Sequence, residues 1–442
     1  MQDLTHWLNI IGGWVWGPVL LVLLVGTGVF YTVRLKGLQF HALPRALKLA
    51  FSKSPQSDAP GDISQFQALM TAMAGTIGTG NIAGVATAVV LGGPGAIFWM
   101  WLSALFGMAT KYAEAYLAVY FRVRDRNGQM AGGPMYYLEK GLGLKSLAIM
   151  FAVCGMIAAL GTGNSVQSNS VAQAVQNTFG VPGWISGVIL TTITGLVLLG
   201  GIRSIARVAS LIVPAMALLY LTGGLIIIVA NYELVLPALS VILRDAWAAD
   251  AVAGGAIGAV IRYGVARGVF SNEAGIGTAP IAAAAAKTNF PQDQALVSMT
   301  GTFLDTIIVC TITGLVLVMA GQFHDGVTGA ALTSNSFETL LPGVGGWVVT
   351  IGLIFFAYST ILGWSYYGEK CAAYLLSEKA VVPYRFVYTG FVMLGTTISL
   401  DLVWALADVF NGLMAFPNLI GLLLLSGIVV HQRLPEPISV RE

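Results

Sequence analysis

Long apolar stretches recur along the whole chain, and they constrain its fold more than any other feature. A helix that crosses a bilayer needs about 20 apolar residues, and eleven stretches reach or approach that length. We number these predicted spans S0 to S10: 13–33, 65–91, 95–121, 146–176, 184–201, 206–230, 252–286, 296–321, 345–377, 384–400 and 402–430. Because backbone groups cannot stay unpaired in hydrocarbon, such a chain must form packed helices. The sequence therefore predicts an all-α polytopic membrane protein.

Composition supports this class and excludes others. Only 10% of the residues are charged and 56% are hydrophobic, whereas soluble domains carry about 25% charged residues. The apolar composition predicts a lipid bilayer as the surroundings. The net charge of +2 says little about partners, and no basic run suggests nucleic acid. The cysteines Cys154, Cys310 and Cys371 lack metal-ligand spacing, and we expect buried thiols.

The distribution of basic residues predicts the orientation. The loops after S0, S2, S4, S6 and S8, with the parts of the spans that adjoin them and the C-terminal tail, hold 18 of the 22 Lys and Arg residues, and the opposite side holds only Arg244. Because basic loops stay in the cytoplasm, we expect an N-terminus outside and a C-terminus inside. The N-terminus lacks the basic start of a signal peptide, so S0 is expected to be retained. The expected location is the plasma membrane, as in a bacterial inner membrane.

Span S1 contains a segment that is poorly suited to a continuous helix. Residues 74–81 read Ala-Gly-Thr-Ile-Gly-Thr-Gly-Asn, and each interior glycine costs a helix about 1 kcal/mol relative to alanine. Unwound backbone is tolerated in a membrane only where it is buried in protein or lines a cavity. The sequence predicts that S1 is broken near its middle.

Span S6 carries a second such segment in Phe-Ser-Asn-Glu-Ala-Gly-Ile-Gly-Thr-Ala-Pro (270–280). Five segments separate the starts of S1 and S6, so the two halves of the chain are expected to run in opposite directions. Paired broken spans in inverted halves indicate a transporter binding site. The alternative is that the glycines only allow close helix packing.

The residue types in and beside the breaks suggest roles. The N–H groups of Thr79 and Gly80 start the outer half of S1 and suit a carboxylate. Free carbonyls at Ala74 and Ile77 end its inner half and suit Na⁺, whereas carbonyls of the S6 break suit an ammonium group. Near the middle of S8, Ser359 and Thr360 offer adjacent hydroxyls. Such hydroxyls often only bond to their own helix.

Polar and aromatic residues in other spans have two interpretations each. Asn164 and Gln167 of S3 share a helix face, so they either join helices by hydrogen bonds or contact a substrate. Phe270 and Trp364 are either pocket walls or ordinary packing residues. The spans show no nucleophile–base pair, metal cluster or pair of catalytic acids, so we expect neither an enzyme nor an organic cofactor.

Charged residues inside the spans need partners. Lys111 and Glu114 lie three residues apart on S2, and we expect them to pair. Arg262, Arg267, Glu273 and Asp305 form a second set, listed here without an assigned role. They either form charge pairs that change during a transport cycle or permanent structural bridges.

Four motifs resemble the alanine or glycine:cation symporter family. These are Thr71-Ala-Met-Ala-Gly-Thr-Ile-Gly-Thr-Gly-Asn-Ile-Ala-Gly-Val-Ala, Gly92-Gly-Pro-Gly-Ala-Ile-Phe-Trp-Met-Trp, Gly132-Gly-Pro-Met-Tyr-Tyr-Leu and Gly268-Val-Phe-Ser-Asn-Glu-Ala-Gly-Ile-Gly-Thr-Ala-Pro. The resemblance implies the LeuT-type fold, a 5+5 inverted repeat preceded by one extra helix. Residues 1–442 would form a single transporter domain, with S0 at 13–33, a first repeat at 65–230 and a second at 252–430. The implied function is sodium-coupled symport of alanine or glycine by alternating access.

The resemblance also implies a set of site residues. The main sodium site would use Ala74, Ile77, Ser359 and Thr360. The substrate would contact both breaks, S3 and S8, through Thr76, Gly78, Thr79, Gly80, Gln167, Phe270, Ser271, Asn272, Gly275 and Trp364. Asn81 stands where related transporters hold a second sodium, and its candidate partners on S7 are Thr302, Asp305 and Thr306.

Two alternatives remain open at this point. A carrier of the same fold could use protons, or carry a different small neutral amino acid. A passive channel is the more distant alternative, because its pore needs continuous polarity. Here the polarity is concentrated in the two breaks, S3 and S8.

Overall fold

The protein is described by a computed structural model, which covers residues 2–52, 59–247, 256–397 and 401–432. The first four residues of predicted S6, the last three of S9 and the basic residues Lys53, Arg433 and Arg441 lie outside the described residues. The described chain consists of helices and one small hairpin, in which Val123–Arg124 pairs antiparallel with Met130–Ala131.

The first half of the chain opens with two consecutive helices, Gln2–Val15 and Pro18–Arg34, at the place of predicted S0. Proline favours the first turn of a helix because its missing N–H is not needed there. Spans S1 to S5 follow. S1 consists of Gln65–Thr76, the π-helical Gly80–Gly84 and Val85–Gly92, and S3 consists of Lys145–Leu160, the π-helical Gly161–Ser165 and Val166–Phe179. The single helices are Ala96–Tyr120 for S2, Gly183–Leu199 for S4 and Gly201–Ala230 for S5.

The second half of the chain has a corresponding series of spans. Its spans are Ala256–Asn272 and Ala279–Ala284 for S6, Pro291–Thr302, the π-helical Phe303–Cys310 and Thr311–Ala320 for S7, Gly345–Leu376 for S8, Val381–Thr397 for S9 and Asp401–Leu424 for S10. Shorter helices connect or follow the spans: Leu38–His41, Leu43–Phe51, Pro134–Tyr136, the π-helical Tyr137–Gly141, Tyr232–Asp245, Gly329–Leu340, the 3-10 turn Glu378–Ala380 and Ser426–Val430.

A strict criterion of helix length and apolar composition finds fewer spans among the described residues than the sequence predicts. Six helices of the described chain are long and apolar enough to cross a membrane on their own, and the bent pair of S1 would be a seventh. The S4 helix is apolar but shorter, at 17 residues. The count of eleven spans stays a prediction.

Both predicted breaks are present, and local chemistry explains where they occur. The first S1 helix starts with a capping box between Ser64 and Gln67, which satisfies free backbone donors at a helix start. It ends at Thr76, and the S1 helices on either side of the break meet at 51°. In S6 the helix stops at Asn272, and Glu273, Gly275 and Gly277 take positive φ angles of 55°, 87° and 96°. Such angles cannot continue a right-handed helix.

A buried arginine ties the start of S1 to the end of S6. The Arg122 guanidinium donates to the carbonyls of Pro60, Ala284, Ala286 and Thr288 at 2.7–3.1 Å. Burial lowers the pKa of Arg122 to about 10, so the side chain remains a cation at neutral pH. Its contacts hold the two broken spans together at this end of the bundle.

Candidate functional site

A small cavity of about 10 Å³ lies where the S1 break meets S3, S6, S8 and S10. Its walls combine main-chain groups, amides, hydroxyls, aromatic rings and one carboxylate: Gly75, Thr76, Gly78, Thr79, Gly80, Thr162, Gln167, Phe270, Glu273, Thr360, Trp364 and Asn411. A space of this size holds about one water molecule. A larger ligand therefore requires the walls to move apart.

The side of the S1 break that leads into the second S1 helix is held by amide side chains. Gly78 N–H donates to Asn81 Oδ1 at 3.0 Å, and Thr79 N–H donates to Gln167 Oε1 at a long 3.4 Å. The Gln167 amide in turn donates to the Thr79 hydroxyl at 3.2 Å and to the Thr162 carbonyl at 3.0 Å. These neutral contacts, one of them long, are weak enough for a ligand anion to replace.

The inner side of the break brings together the oxygens expected for sodium. The hydroxyls of Ser359 and Thr360 lie 3.5 and 3.3 Å from the Ile77 carbonyl oxygen. Both hydroxyls also donate to the Phe356 carbonyl at 2.9 Å, as hydroxyls in helices commonly do. Buried neutral oxygens of this kind suit a hard monovalent cation.

Ala74, the fourth expected sodium residue, lies on the part of S1 that S8 approaches most closely. Gly363 of S8 has no side chain, and a Cβ there would stand 2.6 Å from Gly75 N and 3.1 Å from the Ala74 carbonyl carbon. Only glycine permits this approach. The close contact holds S8 and its two hydroxyls against the S1 break.

Asn81 belongs to a separate buried cluster on S7. Its amide donates to Asp305 Oδ1 at 2.7 Å, and the hydroxyls of Ser271 and Thr306 donate to Asp305 Oδ2 at 2.9 and 2.7 Å. Thr302, the other S7 candidate, has a buried hydroxyl without a hydrogen-bond partner among the described residues. The Asp305 carboxylate is thus surrounded by donors from S1, S6 and S7.

The S6 break is braced by residues of S2 and S10. Lys111 Nζ donates to the Asn272 carbonyl at 2.8 Å, and Glu114 Oε1 accepts from Gly275 N–H at 3.0 Å. Asn418 donates to Glu114 at 2.7 Å and to the Gly275 carbonyl at 2.9 Å. The cation therefore lies at the end of the outer S6 helix, where the helix dipole favours it.

These contacts correct one expectation about the charges in S2. Lys111 and Glu114 form no direct salt bridge; each binds the S6 backbone instead. The S6 break leaves backbone groups without helix partners within reach of both side chains, and these groups bind Lys111 and Glu114. Arg262 and Arg267 lie apart from Glu273 and Asp305, since they line a separate vestibule, which Asp408 also lines.

That vestibule has a volume of about 340 Å³ and lies between S0, S6 and S10. Phe270 lines both the vestibule and the central cavity, and the Arg267 guanidinium lies 5.7 Å from the centre of its ring. Trp364 forms another wall of the cavity and donates to the Gly75 carbonyl at 3.2 Å. Phe270 therefore lies between the cavity and the vestibule.

The structure divides the predicted substrate residues into two groups. Thr76, Gly78, Thr79, Gly80, Gln167, Phe270 and Trp364 surround the cavity. Ser271, Asn272 and Gly275 do not line it and are engaged by Asp305, Lys111 and Glu114. The sequence assigned no pocket role to Thr162, Glu273 or Asn411. A polar residue near the middle of an apolar span was the available signal for each of them.

Comparison with known proteins gives consistent results. The sequence model of the sodium:alanine symporter family matches residues 1–434. The sodium/alanine symporter AgcS of Methanococcus maripaludis is 59% identical, over 98% of this chain and 97% of its own length. The probable sodium/glutamine symporter GlnT of Bacillus subtilis is 39% identical, over 97% and 90%.

A solved structure confirms the predicted fold class. The crystal structure of MhsT in complex with L-phenylalanine aligns with a TM-score of 0.56 at 12% sequence identity. The alignment covers 84% of this chain and 98% of MhsT. At this identity the likeness concerns the fold alone, which is the LeuT-type fold expected from the sequence.

Proposed function

Because the chain belongs to the sodium:alanine symporter family, and is therefore a cation-coupled amino-acid symporter of the membrane rather than an enzyme, we propose that it couples Na⁺ to the transport of alanine or glycine. One observation carries this proposal. A cavity at the break of S1 adjoins three convergent neutral oxygens, those of Ile77, Ser359 and Thr360. Substrate and cation would thus bind to adjacent turns of one broken helix.

In this proposal the cation completes the inner side of the break. The carbonyls of Ala74 and Ile77 would bind Na⁺ with the two S8 hydroxyls. A bound ion would link S1 to S8 through oxygens that are otherwise bonded within the protein. Sodium would thereby favour one arrangement of the two helices and prepare the neighbouring cavity for the amino acid.

The substrate would lie between Gly80 and the inner end of the break. Its carboxylate would accept from the N–H groups that start the second S1 helix, where the helix dipole is positive. Gln167 would release Thr79 in this step, since its contact is the long one. Phe270 and Trp364 would then bound a space suited to a small side chain.

Transport would proceed by alternating access. The vestibule and Phe270 provide an outer route, and the Arg122 contacts close the opposite end of S1 and S6. We assign that end to the cytoplasm, with the N-terminus outside, because the basic loops lie there. Rocking of the helices would release Phe270 and Arg122 in turn.

The charge that moves in each cycle predicts how the transport depends on the membrane potential. Alanine and glycine carry no net charge as zwitterions, so each cycle with one Na⁺ moves one positive charge. A membrane potential contributes about 2.3 kcal/mol per charge per 100 mV. The proposed transport is therefore electrogenic.

Uptake of labelled alanine into proteoliposomes tests the proposal. We expect accumulation when Na⁺ is present outside only, stimulation by an inside-negative potential, and competition by unlabelled glycine. Equal uptake with and without a Na⁺ gradient would contradict sodium coupling. Accumulation driven by a proton gradient in the absence of Na⁺ would instead support the proton-coupled alternative. Currents far above carrier rates would indicate a channel.

A further inference from the structure

We infer that the Glu273 carboxylate holds the ammonium group of the transported amino acid and thereby selects amino acids over hydroxy acids. The inference rests on the proposed function and adds a specificity-determining residue to it. Glu273 lies in the S6 break and is 4% exposed, but it lines the central cavity together with the S1 break. A buried carboxylate requires a charged partner or several donors; the Lys111 ammonium attracts Glu273 from behind the S6 break, where it is bound to the Asn272 carbonyl, and the cavity side of the carboxylate faces the ligand space.

The structure fixes this carboxylate at the cavity wall. The Thr278 hydroxyl donates to Glu273 Oε2 at 2.6 Å, and the Trp364 side chain lines the same cavity. Trp364 at the same time donates to the Gly75 carbonyl at 3.2 Å. Trp364 thus joins the end of the first S1 helix to the wall of the cavity that Glu273 also lines.

Other acceptors of the S6 break are engaged elsewhere. The Asn272 carbonyl accepts from Lys111 at 2.8 Å and the Gly275 carbonyl accepts from Asn418 at 2.9 Å. Neither residue lines the cavity. An ammonium group that faces S6 from the cavity therefore meets the Glu273 side chain rather than these carbonyls.

The other buried acids nearby bind other groups and do not line the cavity, although Glu114 Oε2 has no hydrogen-bond partner among the described residues. Glu114 accepts from Gly275 N–H and Asn418, and Asp305 accepts from Asn81, Ser271 and Thr306. Among the acidic residues that the structure describes, Glu273 is the one that lines this cavity.

The backbone at Glu273 shows why a side chain at this position reaches the cavity. Its φ angle of 55° lies in the left-handed region, which a non-glycine residue adopts only when its surroundings enforce it. Gly275 and Gly277, which follow, have positive φ angles as well but no side chain. Of the residues between Asn272 and Ala279, Glu273 is the one that lines the cavity, and its functional group is a carboxylate.

The two ends of the cavity have opposite polarity. The first S1 helix ends at Thr76 with free carbonyls, and the second begins at Gly80 with free N–H groups. Glu273 reinforces the negative end. A zwitterion fits with its ammonium at Glu273 and its carboxylate at Gly80. An α-hydroxy acid such as lactate has the carboxylate but no ammonium, and Glu273 would repel its net negative charge.

Binding of L-alanine and L-lactate to the purified full-length protein in saturating Na⁺ tests this inference. Glu273→Gln keeps an oxygen that can accept from Thr278 but removes the charge. We expect alanine affinity to fall by about 30-fold or more, because the ammonium loses a buried charged partner, and lactate affinity to rise. A structural role alone would not produce opposite changes for the two ligands. Glu273→Asp keeps the charge, so it should still exclude lactate.

Glu369→Gln provides the matched control, since it neutralises a buried glutamate of S8 that pairs with Arg385 at 2.7 Å and does not line the cavity. We expect it to leave the ratio of alanine to lactate affinity unchanged. The inference would be overturned if Glu273→Gln kept that ratio, or if Glu273→Asp admitted lactate as well as Glu273→Gln does. Failure of the proposed function is a different result, because the wild-type protein would then bind neither alanine nor glycine in Na⁺.

Discussion

The two broken helices differ in what holds their free backbone groups. In S1 the Ile77 carbonyl is approached by two hydroxyls at 3.5 and 3.3 Å, and the Thr79 N–H reaches Gln167 at 3.4 Å. In S6 the Asn272 carbonyl accepts from Lys111 at 2.8 Å, and the Gly275 N–H donates to Glu114 at 3.0 Å. Short bonds to charged groups are about twice as strong as neutral ones. The S1 break is loosely held and the S6 break is firmly braced.

This difference indicates two roles for one type of structure. Weak neutral contacts in S1 can be exchanged for a cation and a carboxylate at little free-energy cost. The charged brace in S6 keeps its shape and positions Glu273. A broken membrane helix is therefore a ligand site only where other helices leave its backbone groups available. Three substitutions test the comparison, and they are ordered by the expected size of their effects.

Removing the brace should have the largest effect. Lys111→Met leaves the Asn272 carbonyl and the neighbouring buried acids without their cation. Removal of one partner of a buried charged group costs about 3–5 kcal/mol, so we expect a large loss of thermal stability in detergent. The exposed Lys48, changed to Met in the same way, serves as the control and should melt like the wild type. A Lys111→Met protein of wild-type stability would show that S6 needs no brace.

Adding one methyl group to the S1 break should have the next largest effect. A Cβ at Gly78 would collide with the Thr360 hydroxyl, and overpacking costs about 1–3 kcal/mol. We expect Gly78→Ala to weaken apparent Na⁺ affinity by about 10- to 100-fold, measured as the Na⁺ dependence of alanine binding.

The control for that substitution is Gly301→Ala on S7. A Cβ at Gly301 would stand 3.6 Å from Leu69 Cδ1 and 3.8 Å from Met73 Cγ, which are ordinary contact distances. We expect its Na⁺ affinity to match the wild type. Equal effects of the two alanines would mean that the S1 break has no special need for space beside Thr360.

Removing a single hydroxyl should have the smallest effect. Thr360→Ala deletes one of the proposed sodium ligands, and we expect apparent Na⁺ affinity to fall about tenfold. Alanine affinity at saturating Na⁺ should change less. Ser365→Ala on the same helix removes a hydroxyl that only donates to the Leu362 carbonyl at 2.6 Å, and it should leave Na⁺ affinity unchanged. If both variants behave alike, the Thr360 hydroxyl serves helix packing and not ion binding.

The sequence predicted the breaks well because their signal is local. Glycines and polar residues inside an apolar stretch locate both S1 and S6 within a few residues. It also indicated residues that surround the cavity, such as Thr79 and Gly80, because they belong to the break itself.

The sequence could not predict in the same way which side chains of the breaks reach the cavity. Ser271 and Asn272 still belong to the helix that precedes the S6 break, and the turn that follows brings Glu273 rather than either of them to the cavity. Asn411 comes from S10, more than a hundred residues beyond S6, and only the packing of the helices brings it to the site. The spacing of Lys111 and Glu114 predicted a pair because it took no account of the S6 backbone nearby.

The central claim is that Na⁺ and the amino acid bind to one broken helix and stabilise each other there. Titration calorimetry of the wild-type protein tests this claim most directly, with alanine titrated in sodium chloride and in choline chloride of equal ionic strength. We predict that Na⁺ tightens alanine binding and that alanine tightens Na⁺ binding by the same factor, as linkage requires. Equal alanine affinity in the two salts would contradict the account.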